Sequence, residues 1–168
     1  MAYQNPKIIG YEQAAAAAQK LRSEGRKIVF ASGAYDIPHV GHAYFFRHAH
    51  TEGEALFVSV GSDENIRILK GPTRPVLPQT IRAWGVAEFE AVDFVVPENE
   101  EMTLPDKINF HKLIALVKPD IFALNNTDSA IDAKREYVER LGAELRLVDV
   151  TGGPDISTTA IIDKVKSR

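Results

Sequence analysis

Residues Lys27 to His42 read KIVFASGAYDIPHVGH, and this stretch decides the fold. KIVFAS (27–32) is a short apolar run with the length and β-branching of a buried strand, and Gly33 breaks it. A helix is predicted from Val40, carrying Tyr44, Phe45 and Phe46 inward. The alternation then recurs. ALFVSV (55–60) predicts a second strand, DFVV (93–96) a third, DIFAL (120–124) a fourth and residues 144–150 a fifth. Further helices are predicted over 80–90, 111–117 and 129–141, with a last one starting near Ser157. Before the first strand, YEQAAAAAQKLRSE (11–24) is rich in strong helix formers and stops at Gly25, which predicts a short surface helix. Residues 61–79 predict a long loop with some helix, and the acidic, proline-bounded 98–106 an exposed loop.

Strands alternating with helices imply βαβ units. The expectation is a Rossmann-like α/β fold: a five-stranded parallel sheet, helices on both faces, right-handed crossovers. With no internal repeat and no linker, residues 1–168 read as one domain, with 1–25 as an N-terminal helical extension. In such sheets ligands bind beyond the carboxyl ends of the strands, where the strand order switches. The loops after strands one, two and four, and the one before the last helix, are therefore where function is expected.

Composition removes several alternatives. A chain of 168 residues with 45% hydrophobic and 26% charged residues can bury its own core. The absence of cysteine excludes disulfides, thiolate metal sites and cysteine nucleophiles. A net charge of -3 argues against a nucleic-acid or membrane-surface binder. There is no signal pattern and no apolar run near the ~20 residues a membrane span needs, so a cytoplasmic location is expected.

The loop after strand one reads GAYDIPHVGH (33–42). His39 and His42, three residues apart at a helix start, lie on one face. Gly41 removes a side chain where a ligand would approach the backbone. The helix N-terminus adds unpaired amides and the positive end of the dipole, so imidazole N–H groups and amides together form a cradle for phosphate. Taken alone, His-x-x-His also fits two ordinary histidines or half of a metal site, and no third ligand at helical spacing accompanies it. Its place directly after a strand, with Gly33 and Asp36 before it, favours the phosphate cradle. His48 and His50 lack that context and read as surface residues. ISTT (156–159) reads as a helix cap and, beside the histidines, as hydroxyls and free amides for β- and γ-phosphates. Lys70, Arg74 and Arg82 form a basic cluster around a loop shaped by Gly71, Pro72 and Pro75; such a cluster is either a solvated surface or a set of phosphate contacts.

These motifs, in this order, resemble the cytidylyltransferase-like nucleotidyltransferases. Gly33-x-Tyr35-Asp36-x-x-His39-x-Gly41-His42 is similar to their G-x-F-D-x-x-H-x-G-H signature, with tyrosine for phenylalanine. KGPTRPV (70–76) with Arg82, Asp93-x-Val95-Val96, Lys118-Pro119-Asp120 and ISTT with Ile161-Ile162 continue the likeness from about Lys27 to Lys166. The pattern is closest to the adenylyltransferase half of the bifunctional heptose-phosphate enzymes, which also place a helix before the first strand. Glycerol-3-phosphate cytidylyltransferases and archaeal FAD synthetases are similar but further away.

The resemblance implies transfer of a nucleoside monophosphate from an NTP to a phosphorylated small molecule, such as a sugar or polyol phosphate, with release of pyrophosphate. His39, His42, Lys70 and Arg82 are the implied catalytic residues. Gly33, Ala34, Tyr35, Asp36, Gly41, Asp128, Ile156, Ser157, Thr158 and Thr159 are the implied nucleotide-binding ones. Mg²⁺ would come with the NTP, no protein metal site is implied, and a homodimer is. Two segments depart from the pattern. Asn125-Asn126-Thr127-Asp128-Ser129 stands where the heptose-phosphate enzymes have Lys-Gly-Gly-Asp-Tyr, and only Asp128 is kept. TGGPD (151–155) lacks the arginine of the glycerol-phosphate enzymes, which favours ATP over CTP. The alternatives are a nucleotide-binding regulatory protein without turnover and a CTP-dependent enzyme of the glycerol-phosphate type.

Overall fold

The computed structural model describes residues 5–102, 108, 110–128 and 131–167. Five strands, β1 (Ile28–Gly33), β2 (Ala55–Val60), β3 (Phe94–Pro97), β4 (Ile121–Asn125) and β5 (Glu144–Val148), form one parallel sheet in the order β3-β2-β1-β4-β5. The helices are α1 (Tyr11–Ser23), α2 (Val40–His50), α3 (Asp63–Lys70), α4 (Gln79–Ala87), α5 (His111–Val117), α6 (Ile131–Arg140) and α7 (Thr158–Lys166). The chain runs outward from β1 to β3, returns, and continues through β4 to β5. The switch in strand order falls between β1 and β4.

Both faces of the central strands are buried, which is why the strands are near-continuous apolar runs in sequence. Ile28 and Phe30 face one core with Phe57, Phe110 and Phe122. Val29 and Ala31 face the other with Leu56, Val58, Phe46 and Val86. The first core is closed by α1 and α5, the second by α2 and α4. Two aspartates close strand starts: Asp120 Oδ2 accepts from the Ile28 N–H and Asp93 Oδ2 from the Leu56 N–H, each at 2.7 Å.

The expected strands are present with ends shifted by a residue or two. Two expectations change. The helix 11–24 is not confined to the surface: Ala14, Ala18 and Leu21 are buried against α5, and alanine's small side chain permits that close approach. Its lead-in joins the sheet edge, where the Ile9 N–H donates to the Val95 carbonyl and the Val95 N–H to the Lys7 carbonyl. The segment 98–106 does not begin as an exposed loop, because the Glu98 carboxylate is buried and accepts from Ser59 Oγ at 2.6 Å; residues 103–107 lie outside the described ones, as does the expected helix start at Ser129. The first part of 61–79 is the helix α3, capped by Ser62 Oγ on the Asn65 N–H. Among the described residues no helix is long and apolar enough to cross a membrane.

Candidate active site

A cleft of about 350 Å³ opens at the carboxyl ends of β1 and β4, at the switch in strand order. Its walls are residues 32–36 and the start of α2, Lys70 and Arg74, residues 123–125 with Asp128, and the segment from Val150 to Thr159. The two N-termini expected to meet, those of α2 and α7, share this cleft.

His39 is the N-cap of α2. Its Nδ1 accepts from the Gly41 N–H at 3.1 Å, and His42 Nδ1 accepts from the His39 N–H at 3.2 Å. An accepting Nδ1 carries no proton in the neutral ring, so each neutral imidazole bears its proton on Nε2. The rings stack with centroids 3.9 Å apart. Burial, helped by His39 and Lys70, pulls the His42 pKa down to about 3, and burial lowers that of His39. Near neutral pH the pair therefore presents two neutral Nε2–H donors with orientations set by the backbone. Gly41 is required by packing: a Cβ there would stand 2.9 Å from His39 Cε1 and 3.2 Å from Ile156 Cγ2. Gly33 is similarly pressed, with a Cβ only 2.9 Å from the Tyr35 ring. Tyr35 lies edge-on to His42, and burial raises its hydroxyl pKa, keeping it protonated.

The basic cluster divides. Lys70 reaches the cleft and has no hydrogen-bond or ion-pair partner among the described residues; burial and the nearby Arg74 charge lower its pKa. Arg82 corrects the expectation of a phosphate contact. It is fully buried and does not line the cleft. Its Nε donates to the Leu77 carbonyl at 2.9 Å, Nη1 to the Ala34 carbonyl, and Nη2 to the Gly61 carbonyl and to Asp63 Oδ1, both at 2.7 Å. With those donors used, it ties the loops after β1 and β2 to the turn before α4. Asp36 also serves the scaffold first. Its buried carboxylate accepts from Arg74 Nε, the Val76 N–H and the Leu77 N–H. Burial opposes its ionisation, but the two amides and Arg74 together outweigh that and hold its pKa below the usual carboxylate value.

At the other wall, Ser157 caps α7 by accepting from the Ala160 N–H at 3.1 Å, leaving the Thr158 and Thr159 amides without intrahelical partners. Thr158 Oγ1 donates to the Asp36 carbonyl at 2.6 Å, binding α7 to the loop after β1. Thr159 lines the cleft beside them. After β4, Asn125 Oδ1 accepts from the Thr127 N–H and Oγ1, and Asp128 pairs with Lys134 at 2.8 Å. Sequence reasoning missed Asn125, Tyr44 and Lys134, whereas Arg74, read as either a phosphate contact or a structural residue, pairs with Asp36. Of these, only the Asn-x-Thr spacing carries a local signal, a side-chain turn.

Among the described residues no group of three or more His, Asp or Glu side chains could hold a metal. Among those residues the cleft instead offers neutral N–H donors, helix N-terminal amides and the Lys70 ammonium, a set suited to a polyanion.

The cytidylyltransferase-like family model matches residues 30–164, and the chain belongs to that family. It is 36% identical over 159 residues to the bifunctional protein HldE of Sulfurimonas denitrificans, covering 95% of this chain and 31% of the relative. To HldE of Alcanivorax borkumensis it is 33% identical over 163 residues, covering 96% and 32%. The chain thus spans about a third of the length of these relatives. Among solved structures, a lipopolysaccharide core biosynthesis protein from Thermoplasma volcanium superposes with a TM-score of 0.61 at 26% identity, covering 74% of this chain and 95% of that one. A pantoate-beta-alanine ligase from Francisella tularensis gives a TM-score of 0.62 at 15% identity over 95% and 76%, a likeness of fold alone.

Proposed function

We propose that this chain is a nucleotidyltransferase that moves a nucleoside monophosphate, from ATP rather than CTP, to the phosphate of a small sugar or polyol phosphate and releases pyrophosphate. The observation that carries the reading is the pair of neutral Nε2–H donors on His39 and His42, held facing the amides and hydroxyls of α7 across one cleft. An acceptor phosphate oxygen attacks the α-phosphorus in line, the new P–O bond forms, and the bond to the β-phosphate oxygen breaks with pyrophosphate leaving. His39 and His42 donate to the α-phosphate oxygens as charge develops there. Neutral donors suit this role, because they stabilise the charge without first giving up a proton. Lys70 offsets the charge of the acceptor or of the leaving pyrophosphate. The Thr158 and Thr159 amides and the Thr159 hydroxyl hold the β- and γ-phosphates.

Mg²⁺, carried in with the nucleotide and keeping most of its water, would neutralise phosphate charge. Neither cleft carboxylate is offered to it: Asp36 is consumed by Arg74 and two amides, and Asp128 is paired with Lys134. The substrates are soluble phosphates, which fits a cytoplasmic enzyme, and size-exclusion chromatography with light scattering tests the homodimer that the family likeness implies.

The deciding experiment incubates the protein and Mg²⁺ with ATP or CTP and a panel of heptose, hexose and glycerol phosphates, and measures pyrophosphate. Release with ATP and a sugar phosphate is expected. Release only with CTP and glycerol phosphate would shift both the base and the acceptor. Nucleotide binding without release across the panel would leave a regulatory protein in place of the transferase.

A further inference from the structure

We propose that Lys134, on α6 and absent from the family-like motifs, is a positioning residue of the cleft: it neutralises Asp128 so that a polyphosphate can occupy the space the carboxylate faces. The inference rests on the transferase reading above and adds to it a residue that acts through another. Asp128 lies in the wall of the cleft and Lys134 behind it, with Nζ 2.8 Å from Asp128 Oδ2. The pair is well shielded, with the lysine side chain 15% and the aspartate 25% exposed. At such burial each charge strongly controls its surroundings, and removing Lys134 takes a full positive charge away from Asp128.

The charge balance of the cleft shows what that compensation does. Asp36 is matched by Arg74, Asp128 by Lys134, and the two histidines are neutral, so Lys70 supplies the net positive charge. Lys70 lies within the field of all four partners: Arg74 and Lys134 push its proton off, while Asp36 and Asp128 hold it on. Without Lys134, Asp128 would cancel Lys70 and repel the phosphates that the α2 and α7 termini attract. Lys134 is not among the residues lining the cleft, so it acts on the ligand through Asp128.

The test is a double-mutant cycle on the full chain, read as KM against kcat for ATP and as the dissociation constant of inorganic triphosphate with Mg²⁺. Lys134→Gln is expected to raise both the KM and the triphosphate constant about tenfold with kcat changed less than threefold, and Lys134→Arg to stay within about twofold of wild type. In the Asp128→Asn background Lys134→Gln should then change either constant by less than about twofold, because no charge remains to compensate. Equal losses in both backgrounds would mean that Lys134 touches the phosphates directly, and no loss in the wild-type background would mean a surface ion pair; either overturns the proposal. A thermal melt of each variant separates misfolding, and the triphosphate measurement stands where a variant loses turnover for other reasons. Wild-type protein that binds triphosphate but releases no pyrophosphate overturns the transferase reading and leaves this one standing.

Discussion

Lys70 and Arg82 stand at opposite ends of the segment between α3 and α4, carry the same charge and were expected to do the same work. Their surroundings differ completely. Arg82 is fully enclosed and donates to three carbonyls and a carboxylate. Lys70 reaches the cleft without a hydrogen-bond or ion-pair partner among the described residues. The division follows from the side chains. A guanidinium has five donors in a fixed plane and can join several loops at once, whereas an ammonium is a compact point charge on a flexible stem, suited to meeting a mobile phosphate. The same split separates the aspartates and histidines around them: Asp36 is spent on the scaffold, and His39 and His42 spend Nδ1 on the backbone while Nε2 carries the proton.

Substitutions on the two sides of this division should therefore fail in different ways. The largest effect is expected for Arg82→Met, which strands the Asp63 carboxylate and three carbonyls; a loss of about 3–5 kcal/mol, seen as a fall in Tm of about 10 °C or more, is expected in thermal melts. A variant that melts like wild type and loses only activity would return Arg82 to the substrate-contact group. Next is His42→Ala, for which kcat should drop about 10²-fold or more with the melt retained, since a donor to the developing charge is removed. Unchanged turnover there would sink the phosphate role of the histidines. Lys70→Ala should raise a substrate KM about tenfold, roughly 1.4 kcal/mol, with Tm within about 2 °C of wild type. A collapse of the fold in that variant would abolish the contrast with Arg82.

The last prediction concerns pH. The unfolded chain protonates His42 near 6.5 and the folded chain only near 3, so the unfolded state takes up more protons between these values. The stability that the neutral ring contributes is fully present above pH 6.5 and is lost as pH falls toward 3. Melting curves from pH 7 to pH 4.5 should fall less steeply for His42→Gln than for wild type, and parallel curves would refute the lowered pKa.

The strands were legible in sequence because a strand buried on both faces must be apolar at nearly every position, a local property that KIVFAS and ALFVSV display. The start of the last helix was legible from its capping residue, Ser157. The direction in which a charge faces was not legible. Residues 70–82 record that cations flank a Gly- and Pro-rich loop, but not that one folds inward onto the carbonyls of Ala34, Gly61 and Leu77. Lys134 was invisible for a related reason. Its partner stands 6 residues before it, outside the i,i+3 and i,i+4 spacings, so nothing at helical spacing announces the pair.

Order, periodicity and punctuation along the chain thus determined a parallel α/β sheet and placed two candidate phosphate-binding motifs at helix starts, because those features rest on contacts within a few residues. Tertiary structure alone decided that Gly41 and Ile156 pack together, that Thr158 ties α7 to Asp36, and that of the two cations beside the loop one builds the wall while the other faces the cleft. Those outcomes depend on which groups distant in sequence compete for the same donors and the same space, and that competition exists only once the chain has closed.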